Sequence, residues 1–375
     1  MAYKIKEVKT KKDIKRFINF PLELYKDCPF YVPMLEMEEK KIFKKNYVYN
    51  NTCKTIFFLA VDDNDNVVGR IEGIIQVAAN EKWKQKRVRF TRIDFINNQE
   101  VANLLLDAVV NWGKSFGMTE LVGPLGYSDL EREGLLIEGF DQIQTYEEQY
   151  NFEYYQHLLD NYGLVKEVDW LEYKIYPPKE VDPRLIKISQ LTQKHHGISL
   201  YSTDKVSKFI KEYKKQFFDI IDTTYNKIYG TVPFTKEMMD TSISNFKLLL
   251  RPQDLVVALD KNKKVVGFGL MFPSISKIVT KYKGKIGLKF LRDFFKNKKD
   301  PEIIDLGLIG VLEEYRASGV AAVLIEALFT YLTSQPNVKH LETNLMLETN
   351  ENILGLTSSF NREFTKRRRC YIKNI

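Results

Sequence analysis

The segment Asp305–Leu328, DLGLIGVLEEYRASGVAAVLIEAL, decides the predicted fold. Its apolar residues up to Val311 indicate a buried strand, and the apolar run after Gly319 indicates a helix. The first amides of a helix have no partners within the helix, and the helix dipole makes their surroundings positive. We therefore expect the turn that opens this helix to bind an anion, with a pyrophosphate group as the natural ligand.

The turn itself contains residues suited to that role. Gly319 lets the backbone approach an anion closely, and the small Ala321 lets the start of the helix lie close to the sheet. Arg316 supplies positive charge and a planar fork of donors. The pattern R-x-x-G-x-A often arises by chance. Its place between a strand and a helix, downstream of a hairpin, makes it informative here.

The order of elements occurs twice along the chain. A predicted hairpin with strands Ile56–Val61 and Val67–Ala78 matches a second with strands Leu255–Leu259 and Val265–Phe272, at an offset of 198 residues. Each hairpin is followed by a strand and a helix, at an offset of 219. The strands are Val88–Ile96 and Ile303–Val311, and the helices are Gln99–Phe116 and Ala317–Ser334. The repeat predicts two tandem α/β domains.

We place the two domains at residues 1–178 and 179–375, called here the N-terminal half and the C-terminal half. Pro177-Pro178 and Asp182-Pro183 mark a non-helical joint between them. The increase of the offset from 198 to 219 predicts an insertion in the second copy. We assign it to the basic segment Lys277–Lys299, which would form a loop or a helix. The spacing of apolar residues predicts an amphipathic helix over Val206–Ile221.

Composition excludes several classes of protein. The chain has 375 residues, a formal net charge of +8, 44% hydrophobic and 28% charged residues, which is the balance of a globular protein and not of a disordered or collagenous one. No run reaches the roughly 18 apolar residues of a membrane span, and no secretory signal is visible. Cys28, Cys53 and Cys370 are far apart, which argues against a disulfide framework or a cysteine zinc site. We expect a cytoplasmic protein without membrane partners or a metal ion.

Motifs for other chemistries are missing from the sequence. It has no Walker loop, G-x-S-x-G or H-E-x-x-H. His195-His196 is predicted to lie in a loop and is an improbable metal site. The positive charges are interspersed with acids except in Lys277–Lys299 and Lys366–Arg369. We expect a solvated face or a small anionic ligand, and consider nucleic acid an unlikely partner.

The segment resembles the acyl-CoA-binding motif of the GCN5-related N-acetyltransferase (GNAT) superfamily, Gln/Arg-x-x-Gly-x-Gly/Ala. Ile309-Gly310-Val311 stands at the Leu-x-Val-like end of the motif strand, and Glu314-Tyr315-Arg316 at the usual Glu-Tyr-Arg. The resemblance covers about residues 253–334. The doubled plan is similar to bacterial tandem GNAT-like proteins. It implies an α/β fold (an α+β mixed sheet) of two tandem GNAT-like, acyl-CoA N-acyltransferase domains, the first degenerate.

The resemblance also implies a cofactor site. The co-substrate would be acetyl-CoA or another acyl-CoA, with its pantetheine arm in a splayed sheet, and no metal. The expected binding residues are Ile309, Val311, Arg316, Ala317, Ser318, Gly319, Val320, Ala321 and Asn352. The basic run Lys366–Arg369 is expected either to contact the CoA 3′-phosphate or to be solvated. The acceptor would be a primary amine of a small molecule or peptide.

Family members often carry a Glu eleven residues before the Gln/Arg of the motif, and Asp305 stands at that position. Alternation along the strand predicts that Asp305 shares a face with Ile309 and Val311. The resemblance therefore implies that Asp305 is the general base, acting directly or through water. A strand-end Asp paired with a nearby Lys explains the residue equally well.

One family residue is missing. The Tyr that usually protonates the departing thiolate falls here on Ser359 or Phe360, and Glu363-Phe364 replaces the usual Gly-Phe. An aliphatic hydroxyl is a much weaker acid than a phenol. Three hypotheses remain open: an N-acyltransferase, an acyl-CoA-binding sensor or scaffold without turnover, and transfer of aminoacyl groups from tRNA.

The N-terminal half departs further from the motif. At the offset of 219, Asn97 replaces Arg316 and Glu100 replaces Gly319, so we do not expect this half to bind CoA by the same route. Asn97 or Asn98 is predicted to cap its helix. Its role would be structural, or it would form one wall of the acceptor pocket. Other candidates for the acceptor site are Glu342, Glu348 and the segment Gly123–Ser128.

Overall fold

The N-terminal half contributes seven strands and five helices in the computed structural model, which describes residues 2–375. They are β1 (Lys4–Glu7), α1 (Lys11–Leu24), α2 (Glu36–Lys41), β2 (Cys53–Val61), β3 (Val67–Gln76), α3 (Val77–Trp83), β4 (Arg87–Phe95), α4 (Gln99–Ser115), β5 (Glu120–Gly123), β6 (Leu135–Glu138), α5 (Tyr154–Asn161) and β7 (Val165–Ile175). The side chains of Thr10 and Asn98 cap α1 and α4, each accepting a hydrogen bond from a first-turn amide. Asn98 is one of the two caps predicted for α4.

The C-terminal half contributes seven strands and seven α-helices over the same described range. They are α6 (Pro183–His196), β8 (Ser199–Leu200), α7 (Val206–Tyr225), α8 (Lys236–Leu249), β9 (Leu255–Leu259), β10 (Val265–Pro273), α9 (Ser276–Lys281), α10 (Leu288–Lys299), β11 (Ile303–Val311), α11 (Val320–Thr333), β12 (His340–Glu342), β13 (Met346–Leu347), α12 (Glu351–Ser358) and β14 (Arg362–Asn374). Short 3-10 helices cover Pro252–Asp254 and Glu313–Ser318.

Both halves follow the same plan, and the predicted hairpins are confirmed. In each half an antiparallel meander, β2-β3-β4 or β9-β10-β11, is followed by a helix and a strand that pairs in parallel with the last meander strand. The predicted insertion Lys277–Lys299 forms α9 and α10. The motif helix begins at Val320, not at Ala317, because residues Glu313–Ser318 form a 3-10 turn first.

The sheet joins the two halves by exchanging strands. Its order is β1-β2-β3-β4-β5-β14-β7-β12-β11-β10-β9-β8. The strand β14 of the C-terminal half lies between β5 and β7 of the N-terminal half, while β7 pairs with β12 and β13 of the C-terminal half. The chain thus forms a mixed α/β fold with a continuous sheet, as predicted for the fold class. The limits 1–178 and 179–375 stay a prediction.

Helices α4 and α11 anchor two separate cores. Val101, Leu105 and Val109 of α4 pack on Phe90 and other residues of the first meander, and Val320, Val323 and Leu324 of α11 pack on the second. Burying one such side chain contributes about 1.5–3 kcal/mol. These cores fix the position of each helix start relative to its sheet, and the start of α11 is the motif turn.

The basic run Lys366–Arg369 is not a solvated segment, and this expectation is wrong. Lys366 and Arg368 are both 0% exposed, because alternate residues of β14 point into the molecule. Lys366 Nζ lies 3.0 Å and Arg368 Nε 2.6 Å from the carboxylate of Glu172 on β7. These two cations neutralise buried carboxylates and do not form a basic surface.

His195 and His196 do not lie in a loop as predicted. They form the last turn of α6, which ends at Gly197 in the left-handed conformation with φ 63°. The pair thus belongs to a helix end that Gly197 closes, with its amide donating to Gln193 O.

Candidate active site

The strands β11 and β12 separate after only three residue pairs. Their parallel pairing ends at Asp305 and Glu342, where β12 stops, whereas β11 continues to Val311. The backbone of β11 beyond Asp305 therefore has no strand neighbour on that side. A splayed sheet edge of this kind leaves backbone donors and acceptors available to a ligand.

A cavity of about 890 Å³ occupies this gap, near the upper end of the range for small-molecule sites. Its walls come from β10 and β11, from α11 and α12, from the end of α7, and from the N-terminal half. The predicted residues that line it are Ile309, Val311, Arg316, Ala321 and Asn352. The motif turn thus stands beside a cavity large enough for a small-molecule ligand.

The N-terminus of α11 presents a row of open amides. Within the described chain, the amides of Gly319, Val320 and Ala321 have no backbone acceptor, and no side chain caps the helix. Gly319 adopts φ 88°, a left-handed conformation that favours glycine. The exposed Arg316 precedes these amides. Three adjacent donors, a helix dipole and a guanidinium are the combination of groups that favours an anion.

Gly319 also has a packing role. A Cβ atom at this position would clash with the hydroxyl of Thr192 on α6. The close approach of α6 to the turn thus requires glycine for a second reason. The other predicted residues of the turn differ in exposure: Ala317 is exposed, the Ser318 hydroxyl donates to Tyr315 O at 2.7 Å, and Val320 is buried in the core. The side chain of Val320 belongs to the core, so only its backbone amide faces outward.

A β-bulge in β11 separates Asp305 from the face that we predicted for it. Gly269 pairs with Ile309, but Met271 pairs with Leu306, so β11 contains one extra residue. Because cross-strand partners share a face, Ile309 and Leu306 lie on the same side as Met271, and Asp305 lies on the other. The expectation that Asp305 shares a face with Ile309 and Val311 is therefore wrong, since the bulge interrupts the alternation.

Asp305 is only 4% exposed, and its Oδ1 has no hydrogen-bond partner among residues 2–375. It is not a strand-end carboxylate paired with a lysine. Burial, together with the carboxyl groups of Glu342 and Glu147, raises the pKa of Asp305 to about 8, although the Ser274 hydroxyl and the charge of Lys366 oppose the rise. Asp305 does not itself line the cavity, whereas Glu147 does.

Tyr225, at the end of α7, contacts the backbone of the bulge. Its hydroxyl donates to Ile309 O at 2.9 Å and accepts from Ile309 N at 3.1 Å. Burial raises the pKa of the Tyr225 phenol above its ordinary value. The phenol therefore remains protonated at neutral pH and lies on the cavity wall. Sequence reasoning missed this residue, because the family pattern places the phenol near residue 359.

The N-terminal half supplies a set of acidic residues to the cavity wall. Asp129, Glu131, Glu133, Glu147 and Glu148 all line it. Burial raises the pKa of Glu147 to about 7 and that of Glu133 well above its ordinary value. Sequence reasoning missed these residues, although it considered this half as a wall of the acceptor pocket.

The acceptor candidates named from the sequence lie elsewhere. Glu348 binds Lys166 Nζ at 2.8 Å and accepts from the Asp169 amide. Glu342 lies 3.0 Å from His340 and 3.6 Å from Lys366 Nζ. Neither lines the cavity, and neither does the segment Gly123–Ser128.

The N-terminal half has no counterpart of the anion turn. Phe95 pairs with Gly69, and Val311 pairs with Gly267. Because Gly69 and Gly267 are equivalent positions of the two hairpins, Phe95 corresponds to Val311, at an offset of 216 and not 219. The connection from β4 to α4 contains only residues 96–98, whereas that from β11 to α11 contains residues 312–319. The residue correspondence predicted at 219 is therefore wrong. The shorter turn leaves no room for a phosphate loop.

Among residues 2–375 no group of three or more His, Cys, Asp or Glu is arranged to hold a metal ion. No helix in this range is both long enough and apolar enough to cross a membrane.

Comparison with known proteins identifies relatives at low identity. No family model matches the sequence. Protein YghO of Escherichia coli (strain K12) is 25% identical over 374 residues, covering 97% of this chain and 94% of YghO. A bacterial ceramide synthase of Caulobacter vibrioides is 24% identical over 282 residues, covering 74% of this chain and 72% of the synthase.

Solved structures match the architecture. A tandem GNAT protein from the clavulanic acid biosynthesis pathway superposes with a TM-score of 0.56 at 11% identity, covering 100% of this chain and 98% of its own. The chain has a tandem GNAT fold. A GCN5-related glucosamine N-acetyltransferase region of a fungal multi-domain beta-N-acetylglucosaminidase gives a TM-score of 0.60 at 14% identity. That match covers 99% of this chain and 38% of the fungal chain.

Proposed function

We propose that this protein is an N-acyltransferase that transfers an acyl group from an acyl-CoA, with acetyl-CoA as the first candidate, to an amine. The observation that carries the proposal is the row of open amides at Gly319, Val320 and Ala321, next to Arg316 and beside the cavity in the splayed sheet. A cytoplasmic location remains part of the proposal, because acyl-CoA donors are found inside cells.

The donor would bind in two parts. Its pyrophosphate would accept hydrogen bonds from the three amides and from the Arg316 guanidinium, where the helix dipole favours negative charge. Its pantetheine arm would follow the open edge of β11 past Val311 and Ile309, with Asn352 of α12 on the facing wall. The motif turn would thus bind the pyrophosphate of the ligand, and the edge of β11 would bind its pantetheine arm.

The chemistry is an acyl transfer in which the amine nitrogen bonds to the carbonyl carbon and the carbon–sulfur bond breaks. The attacking nitrogen loses a proton, and the departing sulfur gains one. The chain must therefore supply one group that accepts a proton and one that donates it. A backbone amide on β11 would stabilise the negative charge on the carbonyl oxygen.

We assign proton acceptance to Asp305 acting through water, with Glu147 as the carboxyl group that faces the amine. Asp305 is buried behind the cavity wall, so it does not contact the amine directly, while Glu147 lies on the wall. The pKa values of about 8 for Asp305 and about 7 for Glu147 lie near neutral pH, where a general base is most effective.

We assign proton donation to Tyr225, in place of the Tyr that is missing at residue 359. Its hydroxyl lies on Ile309, the residue along which the thioester is expected to bind, and its raised pKa keeps it protonated. Pantetheine would displace the hydroxyl from the backbone and leave it beside the sulfur. The role requires a phenol near the bulge, and the end of α7 provides one.

The named relative supports amide formation in particular. The ceramide synthase similarity covers 74% of this chain, and ceramide is an amide formed on an amine. This supports an amine acceptor and also donors longer than acetyl-CoA. The test is to measure free thiol release from acetyl-, octanoyl- and palmitoyl-CoA in the presence of pooled primary amines. Amine-dependent release that Arg316→Ala reduces would support the proposal, and no release from any donor would contradict it.

A second function is favoured by the same tyrosine. Because the Tyr225 hydroxyl already bonds both backbone groups of Ile309, the chain can bind CoA and leave the thioester intact, as a sensor or scaffold would. Calorimetry with CoA separates the two: binding without amine-dependent thiol release supports the sensor, and turnover eliminates it.

A further inference from the structure

We infer that the N-terminal half contains the acceptor-binding site of the proposed acyltransferase, in which Glu133 and Asp129 bind the ammonium group of an organic amine. The inference rests on the proposed function and names the substrate class and the residues that recognise it. It also gives the N-terminal half, which lacks an anion turn, a role in substrate choice.

Glu133 is the central observation. It is only 4% exposed, it lines the cavity, and its Oε1 has no hydrogen-bond partner among the described residues. A buried carboxylate without a partner is costly, so such groups are normally hydrogen-bonded or ion-paired. A ligand with N–H donors and positive charge would satisfy it from the cavity.

The cations nearest the carboxylates are bound to other groups. Arg89 donates to Gly126 O at 2.9 Å and to Gly230 O at 3.2 Å. Arg368 is bound to Glu172 at 2.6 Å, and Lys82, whose charge acts on Asp129, donates to the Thr231 hydroxyl at 3.0 Å. The cavity lining contains two cations, Lys227 and Arg316, against the five acids of this wall, so a carboxylate surplus remains.

The electrostatics of the wall fit a cation. Burial raises the pKa of Glu133, Asp129 and Glu148 add to the rise by repulsion, and the Arg89 charge opposes it. Burial likewise raises the pKa of Asp129. A bound ammonium would offset the repulsion and stabilise the ionised carboxylates. The acidic wall thus attracts a cation more strongly than it attracts a neutral molecule of equal size.

The remaining lining points to an organic ammonium with an apolar body. Leu130, Trp170, Leu306 and Leu308 line the same cavity as the carboxylates and supply apolar surface to it. An alkylamine would place its ammonium among the acids and its chain along these residues. Loss of its proton to Glu147 would then leave the nitrogen ready to attack.

The test uses hexylamine as the cation and 1-hexanol as its neutral counterpart, titrated calorimetrically into the full chain at pH 7.5. We expect hexylammonium to bind about tenfold more tightly than hexanol. Glu133→Gln and Asp129→Asn should each remove most of that difference, and Asp27→Asn, an exposed carboxylate outside the cavity, should keep it. Melting temperatures show whether each variant is folded.

Equal affinity for the two probes, or a difference that survives in both folded cavity variants, would overturn the inference. A CoA titration of the same protein separates this result from failure of the proposed function. CoA binding without ammonium preference rejects the acceptor site alone. Ammonium preference without CoA binding supports the site and rejects the donor.

Discussion

The hydroxyl of Tyr225 is hydrogen-bonded to both backbone groups of Ile309, at 2.9 Å from the carbonyl oxygen and 3.1 Å from the amide nitrogen. The two residues are 84 positions apart in the chain, and they meet where β11 bulges away from its neighbour. A phenol thus lies on the cavity wall, at the strand along which we propose that the acyl donor binds.

Replacing Tyr225 with phenylalanine tests its role in proton donation. We expect kcat to fall about 10²- to 10⁴-fold, the usual contribution of a general acid, because the departing sulfur would have no donor. The affinity for CoA should stay the same or rise, since the Ile309 backbone is freed. Tyr213→Phe on the same helix, outside the cavity, serves as the control. An unchanged kcat in Tyr225→Phe would contradict the assignment.

Arg316→Ala should weaken CoA binding about 10- to 100-fold, because a guanidinium–phosphate contact contributes about 1.5–3 kcal/mol. The loss should shrink as salt concentration rises, since screening weakens the contact in the wild-type protein. Calorimetry at low and high salt measures both effects. Arg184→Ala removes an exposed arginine that is paired with Asp182 and lies outside the cavity lining, and this variant should bind CoA as the wild-type protein does.

Gly319→Ala should destabilise the fold as well as the anion turn. The residue adopts φ 88°, which costs a non-glycine residue about 1–2 kcal/mol, and its new Cβ would press on Thr192. Chemical denaturation should therefore show a loss of more than 1 kcal/mol. Ala317→Gly, at an exposed position in the same turn, should cost less. A fully stable Gly319→Ala would mean that α6 does not pack closely on the turn.

Asp305→Asn should change how stability depends on pH. The pKa of Asp305 is about 8 in the folded chain against a usual value of 3.8, so between these values the folded chain keeps a proton that the unfolded chain has lost. The free energy of unfolding must then fall as pH rises, by at most about 1.4 kcal/mol per pH unit from this group. The asparagine variant lacks this contribution.

Urea titrations of both proteins from pH 5 to 8 measure the difference. The stability of the wild-type protein should decline relative to that of Asp305→Asn over this range. Glu72, with its pKa raised to about 7 by burial, contributes the same sign in both proteins and cancels in the comparison. Parallel curves would show that Asp305 titrates normally.

Glu172→Gln tests the buried ion pairs between the halves. The carboxylate lies 3.0 Å from Lys366 Nζ and 2.6 Å from Arg368 Nε, and removing its charge would leave two buried cations underpaired. Breaking such a pair costs about 3–5 kcal/mol. Denaturation measures the loss, and Glu138→Gln, which removes an exposed partner of Arg367, is the control. Equal stability of the two variants would contradict the assignment.

Local patterns predicted the parts of the fold that depend on local sequence. The hairpins, the strand Ile303–Val311, the helix Val206–Tyr225 and the motif turn follow from periodicity and helix-start chemistry. The pairing of Tyr225 with Ile309 and the acidic wall depend on contacts between distant segments. The periodicity of a segment shows which of its residues are buried, but it does not show which distant segment they contact.

The errors have equally specific causes. The bulge between Leu306 and Ile309 is a one-residue insertion in the pairing, and it reverses the face assigned to Asp305. A run of four basic residues usually indicates a solvated segment. In Lys366–Arg369 alternate residues instead pair with carboxylates on β7, whose position is fixed only when the sheet forms.

The exchanged strand β14 has a consequence for biosynthesis. The sheet of the N-terminal half cannot close between β5 and β7 until residues 362–374 have been translated. A nascent chain would therefore hold an open sheet edge throughout elongation, and exposed edges favour aggregation. Expressing either half alone should give insoluble protein, whereas mixing the two polypeptides during refolding should restore a soluble complex.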